Sequence, residues 1–325
     1  MSRYIARRLA LALVVVLLVT VVTFVLLHLL PGGPARGVLG LKATAEQIAA
    51  FNAEQGLDQP LPVQYWRYLS RLLSGDLGRS YSLNSEVGAL LMERLPKTLL
   101  LTATSTLLAI AVALPLGVLQ AVRRGSALDH LATGLAFALY ATPVFFLSLI
   151  LIIMFAQLLP LFPAQAAQGD DLAAVLSQPG SLVLPVLAGG GATVAALSRF
   201  MRSAVLDNLT EDYVRTARAK GTPEREILWR HVWPNSLTSV VAMLGYYIPV
   251  IFGGSLVVES MFNYPGVGLL FWTSARNADF PVLLGVVLVV GVATVVGALL
   301  ADLAQLLLDP RVRIPARRAR AGATR

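Results

Sequence analysis

The chain has no cysteine in its 325 residues. That excludes disulfide frameworks, thiolate nucleophiles and cysteine-bound metals. Charge is scarce, at 14% of residues, and there are only three histidines. His28, His130 and His231 stand far apart in sequence, so they offer no metal or catalytic cluster. His28 is expected at a membrane interface. No G-x-x-x-x-G-K-[ST], H-E-x-x-H or G-x-S-x-G pattern occurs, which leaves no nucleotide loop, zinc-protease or hydrolase signature of those kinds. Nothing in the sequence points to an enzyme.

Apolar residues dominate instead, at 56% of the chain, with a mean hydropathy of +0.71. Long uncharged runs account for it, and they define an integral membrane protein. Amides left unpaired in lipid are too costly to tolerate, and these runs are too long for barrel strands, so the spans are helices and the fold is all-α. Six spans are expected. The first covers residues 9–30, behind Arg3, Arg7 and Arg8, and reads as an uncleaved signal anchor because its apolar run is long and no A-x-A site ends it. The others cover residues 98–122, 131–159 with a kink at Pro143, 181–198, 236–258 and 281–308. Gly189, Gly190 and Gly191 in the fourth allow either close helix packing or a break.

The net charge of +8 is concentrated beside these runs, a pattern that sets membrane orientation and does not favour nucleic acid. Arg123 and Arg124 follow span 2. Arg199, Arg202, Arg215, Arg218, Lys220, Arg225 and Arg230 follow span 4, and a basic tail from Arg311 to Arg325 follows span 6. All of them, with the N-terminal arginines, fall on one side of a six-span chain, which places both termini in the cytoplasm. The opposite side holds a long first loop, residues 31–97, with a helix expected through "PVQYWRYLSRLL". Its aromatic residues either rest at the interface or pack locally.

The basic island at residues 210–235 carries helix punctuation. Thr210 is suited to cap a helix that begins at Glu211 and Asp212 and stops at Gly221. Thr222, Pro223 and Glu224 open a second short helix, and Pro234 with Asn235 marks a turn into span 5. Ala217 and Ala219 would allow a partner to approach closely. From the residues alone, the island is either a solvated inside-positive loop or a docking surface. Charge within the spans is nearly absent. Asp302 and Glu259 are the exceptions, each placed to pair with a neighbour or cap a helix. Glu259 begins "ESMFNYPGVG", whose Pro265, Gly266 and Gly268 imply a tight turn. That turn either caps a translocation path or is an ordinary re-entrant connection.

The segment "YVRTARAKGTPEREILWRHVWPNSL", residues 213–237, resembles the cytoplasmic EAA loop of ABC importer permeases. Gly221 takes the motif's glycine, Ala217 its second alanine and Pro234 its proline. Arg215, Thr216, His231 and Trp233 depart from the general pattern. Yet R-T-A-x-A-K-G and R-H-x-x-x-N are similar to the branch for dipeptides, oligopeptides, nickel and glutathione, the binding-protein-dependent inner-membrane components. "LLPGGPA", "GLDQPLPVQYWRYL", "GDLGRS", "ERLPKTLLL" and "ESMFNYPGVG" extend the resemblance over nearly the whole chain.

This resemblance implies a type I importer (MetI-like) permease fold. Residues 1–97 would form span 1 and a periplasmic loop, residues 98–310 a permease core, and residues 311–325 a cytoplasmic tail. It implies a bacterial inner-membrane location and no cofactor in this chain, with ATP and Mg²⁺ held by partner ATPases. The implied partners are a second homologous permease, two cytoplasmic ABC ATPases, a periplasmic or lipid-anchored substrate-binding protein, and lipid. The implied ATPase-coupling residues are Tyr213, Arg215, Thr216, Ala217, Arg218, Ala219, Lys220, Gly221, His231, Pro234 and Asn235. Glu259, Pro265, Gly266 and Gly268 form the implied periplasmic turn. An ion-coupled secondary transporter without an ATPase is the alternative reading.

Overall fold

The computed structural model describes residues 2–29, 33–40, 42–169 and 171–308, and their regular structure is helical apart from one isolated bridge between Arg79 and Glu86. The helices in chain order are α1 (Ser2–His28), α2 (Gly33–Leu39), α3 (Ala45–Gln55), α4 (Leu61–Leu73), α5 (Val87–Val122), α6 (Ala127–Ala141) and α7 (Val144–Ile152). They continue with α8 (Leu172–Leu176), α9 (Val183–Leu209), α10 (Asp212–Ala219), α11 (Glu224–Ile227), α12 (Trp233–Met261), α13 (Val267–Arg276) and α14 (Phe280–Leu308). The arginine-rich tail at residues 311–325, the side chain of Asp302 and the side chains in the middle of α12 lie outside the described residues.

Among the described residues, three helices are long and apolar enough to cross a membrane: Val87–Val122, Pro179–Leu209 and Phe280–Leu300. The pair α6 and α7 makes a fourth if counted as one broken span. The protein is thus an all-α, multi-pass membrane protein. In α1 the stretch Leu13–Leu26 is apolar but shorter.

Two details differ from the sequence reading, and a third decides between the alternatives it left open. Helix α5 begins at Val87, not at residue 98, because its charged turn is helical too: Lys97 Nζ finds Glu93 at 3.4 Å and the carbonyl of Gly169 at 2.7 Å. Hydropathy marks where a helix enters lipid, not where it starts. At Pro143 the chain breaks outright where a kink was expected. Thr142, before the proline, adopts an extended backbone (φ −79°, ψ 121°), and α7 starts afresh at Val144. Glycines 189–191 do not break α9. Its continuous backbone passes so near α5 that a Cβ on Gly190 would stand 3.1 Å from the Ser105 carbonyl.

Backbone packing divides the chain into two units. The first comprises Met1–Thr104, Val144–Ala188 and Phe252–Val295. Here Phe24, Phe280, Leu283 and Leu284 form a buried cluster against Tyr65, Tyr68 and Tyr81, so these tyrosines pack locally while Trp66 is exposed. His28, half-buried, belongs to the same assembly. Its ring sits 4.2 Å from Phe24 and its Nε2 lies 2.9 Å from Gln64 Oε1.

Asp279, fully buried, gathers four donors from the segment ahead of α5: the Ser80 hydroxyl (2.5 Å), the Ser82 hydroxyl (2.6 Å) and the Tyr81 and Ser82 amides (3.1 Å each). An Asp279→Ala variant orphans these donors. Opening of the segment should become easier by about 2 kcal/mol, roughly a 30-fold rise in local opening. Amide hydrogen exchange at Tyr81 and Ser82 measures it, and unchanged exchange would refute the anchoring role.

The second unit comprises Ser105–Pro143, Gly189–Ile251 and Val296–Arg325. Its core is made of apolar residues of α5, α9 and the island, including Ala109, Ala113, Leu197, Met201 and Val205. A Cβ on Gly117 would come within 2.6 Å of the Ser198 carbonyl, so α5 and α9 cross here at closest approach. At the same end, Arg202 holds Asp129 through two 2.8 Å bonds, and Asp129 also accepts the Gly125 amide at 3.0 Å. That fork ties the loop after α5 to α9.

Candidate functional site

The island at residues 210–235 is a helix, a glycine bend and a second helix, as its punctuation predicts. Its first helix is amphipathic. Val214 and Ala217 of α10, with Ile227 and Val232 beyond the bend, are buried in the core of the second unit against α5 and α9. This packing makes the island a rigid part of that unit.

The bend has defined chemistry. Helix α10 ends with Lys220 as its last cap, and Gly221 follows at φ +77°. The Gly221 amide donates to the Arg218 carbonyl at 2.9 Å and the Thr222 amide to the Ala217 carbonyl at 3.2 Å. These two bonds are a Schellman closure, which needs a left-handed residue and therefore favours glycine. Across the bend, Arg218 grips Glu224 with bonds of 2.6 and 3.1 Å. The guanidinium holds the Glu224 carboxyl below the usual carboxylate range.

Several expectations for this segment are corrected. Thr210 does not cap α10. Its hydroxyl donates to the Asp207 carbonyl at 2.8 Å, closing α9, and Glu211 takes the cap position with an extended backbone. Thr222 does not cap the second helix, which begins one residue later at Glu224; Pro223 stands at the cap and its carbonyl accepts the Glu226 and Ile227 amides. Pro234 and Asn235 make no turn. A π-helical segment, residues 228–232, carries α11 straight into α12. The wider π turn shifts the pairing, so the N–H that Pro234 lacks is accommodated, and Asn235 Nδ2 donates to the His231 carbonyl at 2.7 Å. Ala217 faces the protein's own core, which leaves Ala219 as the small residue open to a partner.

The remaining island residues sort by exposure. Arg215 reaches only Asp212, at 3.5 Å with both side chains largely in solvent, so its charge is free to meet a partner. Thr216 bonds its own helix at the Asp212 carbonyl, 2.9 Å away. Lys220 is exposed and His231 half-buried. Tyr213 donates its hydroxyl to Asn208 Oδ1 at 2.6 Å, and Asn208 Nδ2 in turn reaches the Ala204 carbonyl (2.8 Å) and Ser236 (3.3 Å). Asn208 thus joins the end of α9, α10 and the start of α12, a role that sequence reasoning missed. Trp229 is 52% exposed and lies 5.4 Å from Trp233. It adds an apolar element to an otherwise charged surface.

The predicted turn residues gather in the first unit. Glu259 is fully buried at the end of α12 and accepts the Thr98 hydroxyl (2.8 Å) and the amides of Gly268 (2.6 Å) and Leu269 (3.1 Å). Of its two expected roles it takes the capping one, for α13. Thr98 relays the contact by accepting the Val267 amide at 2.8 Å. The glycines are required by closeness: a Cβ on Gly268 would stand 2.5 Å from the Leu256 Cα, and one on Gly266 would meet the Glu259 carboxylate and Thr98. Pro265 is buried in the turn, and Tyr264 donates to the Lys97 carbonyl at 2.6 Å. Among the described residues, no group of three or more His, Asp or Glu is arranged to hold a metal.

Comparison with known proteins matches residues 113–314 to the family described as binding-protein-dependent transport system inner membrane component. Residues 1–102 match that family's N-terminal region. The chain is 37% identical over 314 residues to the oligopeptide transport system permease protein AppB of Bacillus subtilis, covering 96% of this chain and 99% of that protein. It is 36% identical over 313 residues to the glutathione transport system permease protein GsiC of Salmonella typhimurium, covering 96% and 99%.

Proposed function

The chain belongs to the family of binding-protein-dependent transport system inner membrane components, and from that membership we propose that it is the peptide-conducting permease of an ATP-driven importer. It is a multi-pass inner-membrane transport component and not an enzyme. The proposal adds the assembly. A second homologous permease completes the path, two cytoplasmic ABC ATPases hold ATP and Mg²⁺, and a periplasmic or lipid-anchored binding protein delivers short peptides. The substrate class follows from the Bacillus relative, a permease of an oligopeptide transport system. The arrangement has six transmembrane helices of the MetI-like kind with both termini cytoplasmic. Span 1 and its periplasmic loop occupy residues 1–97, the permease core 98–310 and the tail 311–325.

The observation that supports coupling through residues 210–235 is their two-sidedness. One face is locked into the protein core by Val214, Ala217 and Ile227, and the other presents Arg215, Ala219, Lys220 and Trp229 to solvent. An element that transmits motion between two states must be rigid on one side and bound by a mover on the other. ATP binding would close the ATPases against α10 and α11, and the permeases would open outward. Hydrolysis and product release would reset them.

The test is co-purification. A tagged chain expressed in its native host should bring down ATPase subunits, and the double charge reversal Arg215→Glu, Lys220→Glu should cut that recovery about tenfold without loss of the chain from membranes. Uptake that proceeds without ATPase subunits or nucleotide would favour an ion-coupled transporter instead.

A further inference from the structure

The segment between α1 and α5, with residues of α1 and α14, lines an open cavity of about 220 Å³ that the coupling and turn residues described above do not use. Its volume lies below the roughly 300–1,000 Å³ of pockets for drug-sized ligands, which limits an occupant to a small solute. Three chemistries share the wall.

The first is cationic. Arg67 and Arg71, one turn apart on α4, both line the cavity, and neither makes an ion pair among the described residues. By contrast, the neighbouring Arg79 already donates to the Asn84 carbonyl, at 2.8 and 3.1 Å. Beside Arg67 stands Tyr68, whose hydroxyl is buried with no hydrogen-bond partner among the described residues. Burial pushes its ionisation up to about 12, so it stays a neutral donor in need of an acceptor. Two free guanidinium groups and an orphan hydroxyl are complementary to an oxyanion, and guanidinium forks suit a carboxylate.

The second chemistry is anionic. Glu54 and Asp76 line the same space, and Asp76 uses Oδ1 for the Gly78 amide at 2.8 Å. The third is aromatic: Phe24 and Phe280, nearly inaccessible to solvent, provide an apolar floor. A simple anion would satisfy the arginines and be repelled by the carboxylates, and a simple cation would meet the reverse. A ligand with one charge of each sign and an apolar body satisfies all three.

We propose that this cavity binds a short zwitterionic peptide, its terminal carboxylate on Arg67, Arg71 and Tyr68, its ammonium on Glu54, and a side chain against Phe24 and Phe280. The biological sense of such a site rests on the peptide-transport reading, as a holding place beside the permease. Its chemistry stands on the cavity alone.

The experiment uses the full chain, without partner subunits, in nanodiscs of phosphatidylcholine, and titrates glycyl-phenylalanine by calorimetry. Saturable binding is expected. The C-terminal amide and the N-acetyl form should each bind about tenfold more weakly, and so should wild-type peptide to an Arg67→Gln, Arg71→Gln double variant. Both arginines are exposed, so their replacement should leave thermal unfolding unchanged, and Tyr68→Phe gives a second variant that keeps the ring packing. No saturable binding, equal binding of the amide, unaltered binding by the double variant, or displacement of the peptide by inorganic phosphate at equal concentration would each overturn the site. No ATPase or binding protein takes part. Failure here therefore leaves the importer assignment intact, and failed ATPase co-purification leaves this result standing.

Discussion

Glu259→Leu should be the most damaging single substitution in this protein, abolishing uptake and lowering the unfolding midpoint of the purified chain. The leucine fills the space but accepts nothing. Thr98 Oγ1 and the amides of Gly268 and Leu269 then lose a buried acceptor that now stands at 2.6–3.1 Å. An orphaned buried donor costs about 1–3 kcal/mol, so three of them exceed about 3 kcal/mol even with partial relaxation. Glu259→Gln should fall between leucine and wild type, since its amide keeps one oxygen and turns a nitrogen toward a donor. Thermal unfolding in detergent and uptake by reconstituted vesicles are the two readouts. A leucine variant with the native midpoint would show that α13 is held by something other than this carboxylate.

The second large effect is a separation of activities. Gly221→Val should leave insertion and ATPase recovery near normal while uptake falls at least about tenfold, the result of roughly 1–2 kcal/mol of strain at a left-handed position. Geometry makes the experiment clean. Nothing lies within 4 Å of a Cβ added at Gly221, so the branch point of the valine has open space and the strain arises at φ +77°. Gly221→Asn tests this directly, because asparagine tolerates the left-handed region and should retain most of the uptake. The ratio of transported peptide to hydrolysed ATP is the quantity to measure. A valine variant with a normal ratio would remove the island from the coupling route.

What the sequence made legible was local. Uninterrupted apolar runs located α5, α9 and α14, because lipid demands them residue by residue. Gly221 announced the end of α10, since few other residues close a helix that way. The family motif was likewise a matter of adjacent letters.

Four kinds of feature were hidden. Partners distant in the chain left no local trace: Thr98 meets Glu259, and Asp279 meets residues 80–82, only after folding. Hydroxyls could bond in either direction, so Thr210 looked like the start of one helix when it finishes another. Proline was read by its usual effect. At residue 143 it breaks the helix more completely than a kink, and at residue 234 a change of helical pitch absorbs it. Asn208 carried no signal at all, as one amide among many polar residues at a helix end.

The π segment at residues 228–232 has a consequence for how a push would travel. A hinge at Pro234 would pass on displacement and let twist dissipate. The unbroken backbone from α11 into α12 passes on both, in the manner of a crankshaft. The inserted residue also sets the angular phase of everything after it. Were the π turn to tighten into α register, the faces of α12 would swing by about 100° relative to α11. Pro234, with no N–H to complete the tighter pairing, acts as the key that keeps that phase in place.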